Sequence, residues 1–127
     1  MMLMFRLSAV VLRRLALLLA VVLLGMFVWG GNQPEAAGLI DPPLDKLAHL
    51  AWFAVLAGLL RFGLGRRWTL AVAVFCLGAG LLDEWRQLSL PWRAAGWDDL
   101  LFDCLGVALG VWLANVVSPI LTRNDEG

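Results

Sequence analysis

The sequence predicts an all-α fold: a polytopic integral membrane protein, a bundle of four transmembrane helices with both termini cytoplasmic. Three observations predict it. First, 61% of the 127 residues are apolar and only 16% charged, with a mean hydropathy of +0.82. A soluble domain runs nearer half apolar and about a quarter charged, so this chain has too few polar side chains to cover a globule in water. Second, the apolar residues fall into four runs of helical length, at about 10–30, 45–63, 67–87 and 98–117, within one domain. Third, the charges between the runs alternate in sign. Arg6, Arg13, Arg14, Arg61, Arg66, Arg67 and Arg123 fall on one side, leaving Lys46, Arg86 and Arg93 on the other with most of the acids. The positive-inside bias then makes both termini cytoplasmic.

The first run, from Leu15 to Gly31, is uncharged and ends near Trp29, a fitting interfacial anchor. Basic residues before an apolar run also describe a cleaved signal peptide. This run is longer than a usual signal core, and Pro34-Glu35-Ala36-Ala37 makes a poor cleavage site. It therefore reads as a retained first helix. Asn32 to Pro43, rich in Gly, Asn and Pro, is a loop.

The second helix starts near Asp45 after Pro42-Pro43, with His49 as the only ionisable group from Leu47 to Leu60. The third apolar run, Trp68 to Leu82, would rise only about 22 Å as a helix. The hydrocarbon core is roughly 30 Å thick, so either the helix continues through Asp83 to Gln87 or the bilayer thins around it. Pro91 and Gly96 break it, and the fourth helix runs from about Trp97 to Val117, ahead of Pro119. Cys76 and Cys104 read as two small buried hydrophobes at different depths, unsuited to a disulfide.

Asp83 to Asp103 concentrates charge beside hydrocarbon, which is costly without a use. The candidate polar cluster is Asp45, Lys46, His49, Glu84, Gln87, Arg93, Asp99 and Asp103, at the outer membrane surface. Asp45 and His49 share a helix face, as do Glu84 and Gln87. Asp45 reads equally well as a helix cap, His49 as a satisfied structural histidine and Arg93 as a headgroup anchor. Asp103 is the sharpest residue, because a carboxylate inside an apolar span should find Lys46, Arg93 or His49, or else be protonated. Asp99, Asp103, Gly106 and Gly110 form one stripe, its glycines suited to close helix packing. Asp83, Arg86 and Asp98 read as ordinary boundary charges.

Zero net charge gives no nucleic-acid footprint. With one histidine and no thiol pair, a zinc site is not expected, and no metal or cofactor is assigned, although the carboxylates leave a hard cation open. No GxSxG, phosphate-binding glycine loop or HExxH is present.

DKxxH at Asp45–His49, ExxQ at Glu84–Gln87, PxR at Pro91–Arg93 and DxxxDxxGxxxG at Asp99–Gly110 together resemble the VanZ-like family. Its region here is about 45–113. At position 103 the family often carries Asn, and Asp is an acidic variant. The resemblance implies a small bacterial multi-pass protein of the cytoplasmic (inner) membrane, with a link to teicoplanin susceptibility in the founding member. It assigns no reaction.

Two functions are open. The cluster could bind or act on an envelope lipid or cell-wall precursor, with Lys46 and Arg93 holding phosphate or carboxylate and His49 moving a proton. Alternatively it staples the helices of a non-catalytic scaffold that meets envelope enzymes. Membrane lipids are expected partners of either. An ion pathway lacks support, since no ionisable residue falls at mid-membrane depth.

Overall fold

A computed structural model describes residues 8–34, 39–41, 43–91 and 96–122. The order is α1 (Ala9–Gly31), α2 (Leu44–Leu64), a 3-10 turn (Arg66–Trp68), α3 (Thr69–Gln87) and α4 (Trp97–Thr122), with no strand among the described residues. All four are long and apolar enough to cross a membrane. The expected all-helical membrane fold is the observed one.

Local chemistry marks the helix ends. Ser8 Oγ accepts from the Val11 amide at 3.3 Å and opens α1. Asn32 closes it, its side-chain amide donating to the Val28 carbonyl at 3.1 Å. Pro43 precedes α2 and Asp45 lies in its first turn, where the helix dipole favours a carboxylate. Gly65, at φ 101°, ends α2 in a region that an L side chain rarely adopts. α3 continues through the charged residues to Gln87, which lengthens its short apolar run. α4 runs beyond Val117 to Thr122, with Pro119 inside it. Proline is tolerated in membrane helices because neighbouring groups re-satisfy the freed backbone.

α2 and α4 form the most extensive interface. They run parallel, since Lys46 meets Asp99, His49 meets Asp103 and Arg61 meets Asn115. A Cβ on Gly106 would collide with the Leu50 carbonyl, and one on Gly110 with the Ala54 carbonyl. Gly58 answers from α2, where a Cβ would lie 3.2 Å from the Gly110 oxygen. Only glycine permits this approach, and in lipid such packing contacts largely drive helix association.

α1 packs against α2 in the opposite sense: Leu17 fits over Gly63, and Phe27 meets Phe53 edge-on at 5.4 Å. Ala20, Phe53, Leu56, Ala57, Val72, Cys76 and Val107 make the core. Most other large apolar residues face outward, as a chain solvated by lipid requires. Cys104 is exposed there, not buried as its apolar setting suggested, because it lies off the Asp103–Gly106–Gly110 stripe.

Candidate functional site

The polar residues of three helices converge at the end of the bundle where α2 and α4 begin and α3 stops. α2 brings Asp45, Lys46 and His49; α3 brings Asp83, Glu84 and Gln87; α4 brings Asp98, Asp99 and Asp103. The parallel run of α2 and α4 sets their first turns side by side. The opposite run of α3 delivers its last turn to the same level.

His49 is the centre. Its Nδ1 lies 2.8 Å from Asp103 Oδ1, and its Nε2 lies 3.9 Å from Asp99 Oδ2. A hydrogen bond at 2.8 Å requires a proton between nitrogen and oxygen. With Asp103 ionised, Nδ1–H donates it, and the carboxylate fixes the ring's tautomer and orientation. Asp103 is 1% exposed, and its Oδ2 rests over Gly80, where a Cβ would come within 2.8 Å. Gly80 is therefore part of the site's geometry, unsuspected because glycines are common in membrane helices and nothing in the apolar run sets it apart from Gly78.

Lys46 Nζ sits among three carboxylates: Asp98 Oδ2 at 2.6 Å, Asp99 Oδ1 at 3.1 Å and Asp45 Oδ2 at 3.9 Å. Asp98 remains exposed, as a boundary charge should, but it is also the nearest partner of Lys46. Asp83 departs from its reading. It is buried and accepts from Gln87 Nε2 at 2.7 Å, because its position on α3 turns it inward, under Gly31 of α1. Arg86 Nη2 lies 3.7 Å from Asp83 Oδ1 and touches the Gly31 position, so it borders the cluster and does not extend freely to headgroups.

Glu84 is 2% exposed. Its Oε2 accepts the Gly96 amide at 2.9 Å, tying the start of α4 to the end of α3. Glu84 Oε1 and Asp45 Oδ1 are both buried without a hydrogen-bond partner among the described residues. Arg93 lies outside the described residues. Among the described residues, no three His, Cys, Asp or Glu side chains form a metal-holding group.

A cavity of about 270 Å³ opens between α1, α2 and α3. His49, Asp83 and Gln87 line its polar part, and Met26, Phe27, Ile40 and Trp52 its apolar walls. Phe27 stacks on Trp52 at 6.4 Å and shapes this wall. The arrangement can accept hydrogen bonds, hold a proton on an oriented imidazole, and shelter a short apolar chain beside both.

A family model described as VanZ/LLP1 matches residues 1–118. The match extends past the Asp45–Gly110 motifs in both directions and takes in α1. None of the curated proteins and none of the solved structures matches.

Proposed function

The chain belongs to the VanZ/LLP1 family and is a multi-pass membrane protein; on that premise we propose that its polar site faces outward and binds a cell-envelope lipid or cell-wall precursor. The observation that carries this reading is the two-sided character of the cavity beside His49. An amphiphile entering from the bilayer meets apolar side chains and polar groups within one space. Two buried carboxylate oxygens, on Asp45 and Glu84, still want donors. These oxygens and Lys46 lie in the adjoining polar cluster and do not line the cavity itself; a head group reaching past His49 would bring them hydroxyl or amine donors, with Lys46 as the cation for a phosphate. His49, oriented by Asp103, is placed to move a proton if the bound molecule reacts. The basic-residue asymmetry supports an outward site and a place in a bacterial cytoplasmic membrane. A contribution to teicoplanin susceptibility belongs to this proposal, not to the geometry.

Lipid mass spectrometry of the purified protein tests it. A head-group lipid should co-purify with the wild type and be lost from His49→Ala and Arg93→Ala. Unchanged lipid in variants that keep their thermal stability would refute the reading. The alternative, a non-catalytic scaffold for envelope enzymes, is favoured by one observation: Lys46 and His49 pair across the α2–α4 interface with Asp99 and Asp103. In that case the same variants lose stability first, and no lipid is retained by the wild type.

A further inference from the structure

At the opposite end of the bundle lies a larger cavity, about 820 Å³, lined by Arg13, Arg61, Arg66, Asn115, Ser118 and Thr122, among others. Three guanidinium groups from α1, α2 and the turn after α2 share it. Among the described residues none of the three is in an ion pair, whereas the cations at the His49 end, Lys46 and Arg86, lie against carboxylates.

Arg61 is 3% exposed. Its Nε donates to Asn115 Oδ1 at 2.9 Å, a neutral partner. Its terminal nitrogens make no protein hydrogen bond among the described residues. Arg13 Nε is buried with no hydrogen-bond partner among the described residues. Burying a guanidinium without a counter-charge is costly, and an anion bound in the cavity would offset that cost. The positive-inside bias accounts for basic residues at this boundary but not for burying one of them. Arg14, Arg66 and Arg67 satisfy that bias while exposed, and among the described arginines only Arg61 is buried.

We propose that this cavity is an oxyanion site, with Arg13, Arg61 and Arg66 binding a phosphate group. The planar guanidinium fork suits a phosphate's oxygens, and Ser118 and Thr122 bring hydroxyls to the same space. The phosphate could belong to an anionic lipid of the adjoining leaflet or be free in solution; the chemistry is shared.

The test uses the full chain in nanodiscs of phosphatidylcholine, alone, with phosphatidylglycerol, or with added inorganic phosphate. Readouts are the melting temperature and lipid retention by native mass spectrometry. Arg61 is left intact because it also joins α2 to α4. The R13Q/R66Q variant should bind at least about tenfold more weakly than wild type, while R14Q/R67Q, with the same charge removed outside the cavity, binds as wild type does. Should the double variant not fold, R13Q alone is measured against R14Q alone. A response to phosphatidylglycerol only identifies a lipid head group, and a response to inorganic phosphate a small anion. Either supports the site. The proposal is overturned if neither anion raises the melting temperature, or if both double variants weaken equally. It also fails if binding appears only after D125N/E126Q, which would make the chain's own tail carboxylates the occupant.

Discussion

His49 Nδ1 and Asp103 Oδ1 are 2.8 Å apart across two parallel helices, on side chains 20% and 2% exposed. The carboxylate has little access to water and one strong partner. A hydrogen bond to a charged group in such a setting contributes about 1.5–3 kcal/mol. Asp103→Ala should therefore lower unfolding stability in detergent by about that amount. A double-mutant cycle should give a His49–Asp103 coupling of at least about 1 kcal/mol. Additive single effects would show that the contact does not form in the membrane protein.

Gly80 should matter through Asp103. A methyl group at position 80 would press on Asp103 Oδ2 and push the carboxylate off the imidazole. Gly80→Ala is expected to shift the His49 ring ¹⁵N resonances towards those of Asp103→Asn, with a smaller loss of melting temperature than Asp103→Ala. Ring resonances like those of the wild type would refute this.

The glycines of the α2–α4 interface differ from those facing open space. Gly106→Ala and Gly110→Ala meet backbone carbonyls that cannot swing away, so each should cost about 1–3 kcal/mol by overpacking. Gly25 and Gly78 have nothing within 4 Å of a Cβ. Their alanine variants should melt at or slightly above the wild-type temperature, alanine being the better helix former. Equal losses at all four positions would mean that α2 and α4 do not pack this closely.

Lys46 gathers Asp98 and Asp99, but the two carboxylates differ in exposure, at 57% and 13% of the side chain. Exposed ion pairs contribute little and are screened by salt. Asp98→Asn should be nearly neutral at high salt, and Asp99→Asn should remain destabilising there. Thermal melts across a salt series check both, and the reverse order would contradict the geometry.

Glu84 anchors the Gly96 amide at the start of α4. Glu84→Ala should speed hydrogen exchange around Gly96–Asp99 and leave the interior of α2 protected. Unaltered exchange at those amides would show that the tie is not formed.

Much of the fold was legible because lipid imposes one rule on every span: enough apolar helix to cross it. Four apolar runs, the third reaching that length only with the charged residues to Gln87, separated by Gly, Pro and charge, leave few other folds. The candidate cluster was legible for a related reason, since charge beside hydrocarbon stands out. Asp83 shows the limit. In sequence it is one acid among several at a helix end, and only the placement of α1 turns it into a buried acceptor for Gln87.

By itself, then, the sequence determined the number of spans, the small-residue stripe Gly106–Gly110 and the family motifs, all of which depend on local composition and helical period. The tertiary structure decided which groups meet. It paired Asp103 with His49 rather than with Lys46, surrounded Lys46 with other acids and drew Arg61 inward against Asn115. Each of these depends on the parallel register of α2 and α4, residues more than fifty apart in sequence. No periodicity within a single helix encodes that register; it is decided where the backbones can approach, over glycine.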